Sequence, residues 1–192
     1  EMKVILISGK AEAGKTTTAN IIKTFLEERW KKVACIPYGQ YVKDTAKTIW
    51  NWDCKKDEKG RQLLQWWGTD VVRAQDPNFW VDSVIRLAKV IDKHVNYLII
   101  DDCRFLNEIE AWRAVKYVAL DEVTDSLASK QRFSDIITIR VERPGHENAL
   151  TPEQRRHPSE TELDDYIFDI TIKAIDKEEL YDEIIWNVMP KI

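Results

Sequence analysis

The sequence predicts an α/β fold built on a five-stranded parallel sheet with helices on its faces, and three observations carry that expectation. Short runs rich in β-branched and apolar residues recur five times, and the first three are free of polar alternation, as strands buried on both faces require. Between them lie segments with an apolar residue every three or four positions. The first run ends in a glycine-bearing turn that leads directly into one of these segments. Strands that alternate with helices imply right-handed crossovers and hence parallel pairing.

Val4-Ile5-Leu6-Ile7 is the first strand. It ends at Ser8-Gly9, and from Thr16 to about Trp30 the residues Ala19, Ile22, Phe25, Leu26 and Trp30 mark one face of a helix. Val33-Ala34-Cys35-Ile36, closed by Pro37, reads as the second strand, with Tyr38 and Gly39 at its carboxyl end, where α/β proteins hold ligands. From Gln40 to His94 the pattern is helical and strand-poor, with polar breaks at 51–60 and at Asp76-Pro77. One helix there, 61–75, places Leu63, Leu64, Trp67 and Val71 on one side; Asn78 caps the next, whose Trp80, Val84, Leu87, Ala88 and Ile91 face inward. Tyr97-Leu98-Ile99-Ile100 is the third strand and runs into Asp101-Asp102. Residues 105–134 are helical in propensity, although 115–120 reads equally as a short strand. The runs 136–141 and 167–172 complete the sheet, and Asp176-Lys177-Glu178-Glu179 is a capping box for the last helix.

The 192 residues suffice for one α/β domain, 1–192, with 38–93 as a helical insert and 143–162 as a small lid. A hydrophobic share of 44% and a charged share of 32% are those of an ordinary globular chain. The net charge of −4 argues against a partner that is polymeric nucleic acid, which needs a basic surface to displace counterions. No apolar run approaches the roughly 18 residues of a membrane span, so a cytoplasmic protein without a membrane partner is expected. Cys35, Cys54 and Cys103 are odd in number, widely spaced and without a histidine cluster, which reads as reduced structural thiols rather than a metal centre.

Gly9-Lys10-Ala11-Glu12-Ala13-Gly14-Lys15-Thr16 matches G-x-x-x-x-G-K-[ST] at every fixed position, between a buried strand and an amphipathic helix. Polyphosphate holds its water tightly, so a protein that replaces that water must supply many short donors at once. Gly9 and Gly14 let the backbone N–H groups of Ala11, Glu12 and Ala13 turn inward, and the helix opening at Thr16 and Thr17 adds the positive end of its dipole. Lys15 would reach the β and γ phosphates, and the Thr16 hydroxyl would hold Mg²⁺. The expectation is therefore a P-loop NTPase fold that uses ATP and Mg²⁺. The N-K-x-D motif by which GTP-specific proteins read their base is absent from the sequence.

An acid at the carboxyl end of a neighbouring strand orients water on such a metal ion. Asp101 fills that place. Adjacent strand residues point opposite ways, so the sequence leaves open whether Asp101 or Asp102 faces the ion. A transferring phosphoryl group also needs cations around it and water excluded from it. Arg143-Pro144-Gly145 begins a polar stretch in which Thr151-Pro152-Glu153-Gln154 is a capping box, so a short helix would present Arg155, Arg156 and His157. On this reading Arg143 and Arg156 join Lys15 and Arg104 around the transferred group. Arg73 and Arg104 are either clamps for the acceptor's phosphate or surface salt-bridge partners, and the bidentate fork of arginine favours the first. Tyr38, Trp66 and Trp67 offer faces for a planar ring, and Gln65 offers an amide for a base edge. His157 receives no catalytic role, because an ionised phosphate acceptor needs no base.

Four segments together, Gly9 to Thr17, Arg61 to Arg73, Asp101-Asp102-Cys103-Arg104-Phe105-Leu106-Asn107-Glu108, and His157 to Glu160, resemble the deoxynucleoside monophosphate kinases typical of bacteriophages. The D-D-x-R-F-x-N-E segment is the most specific. The resemblance implies transfer of the ATP γ-phosphoryl group to a deoxynucleoside monophosphate, small nucleotides as the only partners, and a host-cell cytoplasm as the setting. It also implies that residues 38–93 hold the acceptor, with Arg73 and Arg104 on its phosphate and Asp102 and Glu108 lining the site. A homodimer is left open. The competing readings are a P-loop kinase for another small metabolite, of the phosphomevalonate or dephospho-coenzyme A type, and a nucleotide-dependent switch.

Overall fold

Met2–Ser8 (β1) takes the centre of the sheet because its residues are apolar on both sides of the pleat. The computed structural model describes residues 1–55, 57–121 and 133–192. β1 pairs in parallel with Tyr97–Ile100 (β3) on one side and Phe133–Glu142 (β4) on the other, in the registers Val4↔Leu98 and Val4↔Ile136. Val33–Cys35 (β2) and Ile170–Lys173 (β5) complete the order β2-β3-β1-β4-β5, every pair parallel. All the carboxyl ends therefore lie along one edge.

Strand alternation divides the interior in two. Ile5, Ile7, Ile99, Ile139 and Val141 face a core closed by Lys15–Glu27 (α1) through Ala19, Ile22 and Leu26 and by Lys177–Glu183 (α8) through Leu180. Val4, Leu6, Leu98 and Ile100 face the other, closed by Phe79–Ile91 (α4) through Trp80, Val81, Val84, Ile85 and Ala88 and by Leu106–Asp121 (α5) through Ile109 and Trp112. Each such aliphatic or aromatic side chain contributes on the order of 2 kcal/mol by leaving water. Tyr38–Trp50 (α2) and Glu58–Gln65 (α3), which widens into a π-type segment at Trp66–Arg73, lie with α4 in the stretch expected to be a helical insert. Pro152–Arg155 (α6) and Pro158–Thr161 (α7) are single turns. No helix among the described residues is long and apolar enough to cross a membrane.

Several expectations from pattern are corrected here. Trp30 does not join the inward face of α1: the helix stops at Glu27, and Trp30, with φ of 60°, is 94% exposed. Leu87 lies on the outer face of α4, and Val81 and Ile85 take the inward positions. Asn78 precedes α4 without capping it; its Oδ1 accepts instead from Asn107 Nδ2 at 2.9 Å. The helix expected over 61–75 starts earlier, at Glu58, where Asp57 caps it by accepting from the Gly60 amide. The last strand begins at Ile170, and Ile167 points into solvent. Residues 115–120 belong to α5 rather than to a strand, and 122–132 of the stretch read as helical lie outside the described residues.

Gly9 is where the strand layer and the turn after β1 meet most tightly: a Cβ there would stand 2.4 Å from the Val141 carbonyl oxygen. Gly9→Ala should cost about 2 kcal/mol through this backbone clash. Calorimetry should then show a melting temperature lower by about 4–8 °C. An unchanged value would mean that β4 does not approach the turn.

Candidate functional site

The turn after β1 carries the phosphate-loop geometry that its sequence requires. Glu12 and Gly14 take positive φ, 63° and 101°, which curls the backbone so that α1 begins at Lys15 with its free amides at the sheet edge. Lys15 is nearly buried, and its ammonium donates to the carbonyls of Gly9 at 2.8 Å and Lys10 at 2.7 Å. Burial, and after it the nearby Arg104 guanidinium, lowers its pKa to about 8.

The two carboxylates after β3 part company. Asp101 Oδ2 accepts from the Thr16 hydroxyl at 2.6 Å. Asp102 turns the other way and is buried, accepting from the amides of Tyr38 at 2.8 Å and Gly39 at 2.7 Å, so that it anchors the start of α2. Burial pushes its carboxyl pKa up against the pull of those amides. Asp101 is thus the acid beside Thr16. A hydroxyl and a carboxylate are hard oxygen donors and fit Mg²⁺, which is held by one or two carboxylates together with phosphate oxygens. No cluster of three or more His, Cys, Asp or Glu residues among the described residues forms a self-sufficient metal cage.

Three arginines near the loop, Arg73, Arg104 and Arg140, are each held by an acid. Arg73 pairs with Glu108, whose other oxygen accepts from the amides of Arg104 at 2.7 Å and Phe105 at 3.1 Å. Glu108 is fully buried, and desolvation raises its pKa even though Arg73 opposes the shift. Arg104 pairs with Glu160 and donates to the Ser159 carbonyl at 3.2 Å. Glu160 also accepts from the Ala11 amide at 2.9 Å, so a carboxylate of α7 sits directly on the phosphate loop. Arg140 and Lys10 share Asp164, at 3.1 Å and 2.6 Å.

Two cavities meet at Ala11. One, of about 330 Å³, is bounded by Tyr38, Gln65, Arg73, Asp102, Arg104 and Glu108, which places the expected acceptor-site residues together. The other, of about 420 Å³, is bounded by Lys10, Ala13, Arg140, Arg143, His146 and Lys173. Arg143 therefore lies beside the second cavity, donating to the Ile175 carbonyl at 3.1 Å. Glu12 contacts His146 at 3.1 Å. Arg156 is exposed at the end of α6 and borders neither cavity. Thr17 borders a groove between α1 and α8.

The aromatic expectation changes most. Trp66 and Trp67 border neither cavity and stack edge-on against Trp50, with centroids 5.2 and 5.5 Å away. Tyr38 forms cavity wall, but its hydroxyl is fixed in the core by Trp112 Nε1 at 2.8 Å. Lys10, Arg140, Glu160 and Asp164 were missed as site residues. An arginine inside the apolar run 136–141 was the available signal, since a nearly buried guanidinium needs a partner. The capping box expected at 151–154 is present in full, with Thr151 and Gln154 bonded reciprocally at 3.3 and 3.0 Å.

No protein-family model matches this sequence. No curated protein matches it either. Similar solved structures include two of the Mycobacterium tuberculosis APS kinase CysC. A cysteine-to-alanine mutant of it aligns at a TM-score of 0.45 and 13% identity over 96% of this chain and 94% of that chain. The same kinase in complex with AMPPNP and APS aligns at 0.48 and 12% over 96% and 95%. Likeness at this level assigns no residue a role.

The low pKa of Lys15 has a consequence for stability. Its ordinary value is 10.5 and its folded value about 8, so between these the unfolded chain binds more protons and the folded chain gains stability as pH rises. Lys15→Met should remove that rise, on the order of 3 kcal/mol across the window. Urea unfolding at pH 7 and pH 10.5 measures it, and equal slopes in the two proteins would mean that Lys15 is not desolvated.

Proposed function

We propose that this chain transfers the γ-phosphoryl group of ATP to a deoxynucleoside monophosphate, giving the diphosphate and ADP. The observation that carries the reading is the meeting of two cavities at Ala11 of the phosphate loop, one bordered by Arg73 and Arg104 and the other by Lys10 and Lys173. A donor and an acceptor approaching from opposite sides would bring their phosphates together there, as an in-line displacement requires. The likeness of residues 101–108 to the phage enzymes supports the choice of acceptor.

The loop amides and Lys15 would hold the triphosphate tail of the donor. Lys15 then exchanges the Gly9 and Lys10 carbonyls for phosphate oxygens, which keeps it charged. Thr16 and Asp101 would hold Mg²⁺, which when bound neutralises phosphate charge. Arg73 and Arg104 take the acceptor's phosphate, and Arg143 stands at the donor side. Arg156 joins only if the lid segment, 143–162, moves inward. An acceptor oxygen attacks the γ-phosphorus, the bond to the β-phosphate oxygen breaks, and ADP leaves with the electron pair; the ionised acceptor has no proton to lose. Glu160 occupies the Ala11 amide that a phosphate oxygen would use, so entry of the tail displaces it.

A coupled ADP-release assay across the common nucleoside monophosphates, ribo and deoxy, tests the reading. Turnover with none of them would sink it. Lys15→Ala should remove activity while the protein still folds and unfolds cooperatively, because it deletes charge stabilisation rather than packing. Arg104→Ala should raise the acceptor KM by about tenfold, the value of one charge-assisted hydrogen-bonded contact, with a smaller change in the KM for ATP. Unchanged acceptor kinetics would remove Arg104 from the site.

A further inference from the structure

Four polar side chains spaced by four residues, Arg61, Gln65, Thr69 and Arg73, all border the cavity on the Arg104 side of the loop. In a regular α-helix each step of four turns the next residue about 40° around the axis, so three steps would wind the stripe about 120° away from one face. This helix does not stay regular. After Gln65 it widens into the π-type segment Trp66–Arg73, whose longer turn rotates each step of four back the other way. The wide turn is pinned by the Trp80 indole, which donates to the Gly68 carbonyl at 3.0 Å, and by Gly68 itself, where a Cβ would stand 3.0 Å from Val42. The result is a straight polar stripe on a curved path.

The middle of the stripe has no side-chain partner among the described residues. Arg73 is held by Glu108, and Trp67, off the stripe, donates to Thr45 at 2.8 Å. Gln65 and Thr69 are half-buried, yet neither side chain hydrogen bonds with another described residue. Both stand beside the apolar Leu64 and Val42 in the cavity wall. A few unpaired polar groups set in an apolar wall are the pattern by which small-molecule sites orient a ligand.

We propose that this stripe reads the acceptor nucleoside, with the Thr69 hydroxyl on the sugar and the Gln65 amide on the edge of the base. The inference rests on the kinase reading above and adds to it the parts of the acceptor that each residue recognises. Arg73 fixes the phosphate end. Gln65 stands eight residues back, on the order of 10 Å along the axis of the widened helix, which leaves room for a sugar and a planar ring between them. The glutamine amide presents one donor and one acceptor side by side, whereas a carboxylate of the same shape only accepts.

Gln65→Glu therefore serves as the test. It should move the ratio of kcat/KM for the guanine over the adenine monophosphate by about tenfold toward guanine, whose adjacent N1–H and N2–H groups both donate to a carboxylate, whereas adenine sets an acceptor nitrogen beside its amino group. Thr69→Val should raise the acceptor KM about fivefold with every base while the KM for ATP stays within twofold. Thr48→Val, an exposed α2 position whose hydroxyl bonds the Asp44 carbonyl and borders no part of the cavity, is the control and should change neither. Melting temperatures and the KM for ATP report whether each variant is folded. Turnover by the parent with an unaltered base ranking in Gln65→Glu overturns the base contact alone, and an unaltered acceptor KM in Thr69→Val overturns the sugar contact alone. No turnover by the parent with any monophosphate overturns the kinase reading and this one with it.

Discussion

The positive pole at the start of α1 has to be met by negative charge, and the site is arranged around how that charge is supplied. The chain supplies it from its own side chains. Glu160 takes the Ala11 amide, Asp101 takes the Thr16 hydroxyl, and Lys15 folds back onto the carbonyls of Gly9 and Lys10. Every one of these contacts joins a donor of the loop to an oxygen of the chain. The loop is thereby held in one form and its buried groups stay satisfied.

The same logic extends outward through paired charges. Buried ion pairs add little net stability, because desolvation offsets attraction. Their worth here is positional. Glu108 binds the Arg73 side chain and the Arg104 backbone at once, so the two arginines share one fixed reference. Asp102 performs the equivalent task for α2 by accepting two amides at its start. The buried thiol of Cys103, its pKa driven well upward by desolvation, lies between these acids as packing rather than as a nucleophile.

Around this frame the two faces of the sheet carry different loads. The core under α1 and α8 is aliphatic and backs the phosphate loop. The core under α4 and α5 is aromatic, with Trp80, Trp112, Phe133 and Tyr38, and it supports the helical stretch through hydrogen bonds as well as contact. Aromatic side chains with a polar handle can do both, which accounts for their concentration on that side.

Sequence alone determined the strands, the continuous apolar run that buries β1 on both faces, the glycine-bearing turn after it and the capping box at 151–154, because each is a local pattern whose period or spacing is set by backbone geometry. It also named six of the residues that border the cavity on the Arg104 side, Tyr38, Gln65, Arg73, Asp102, Arg104 and Glu108. Tertiary structure decided the rest. Which aspartate faces Thr16 depends on the phase of β3 relative to α1 and α2; whether Trp66 and Trp67 face a cavity or Trp50 depends on the widened turn after α3; and the acids that hold Arg73, Arg104 and Arg140 come from 24 to 56 positions away. Long-range electrostatic pairing and helix phase leave no periodic trace in a chain, so they become legible only when the chain is folded.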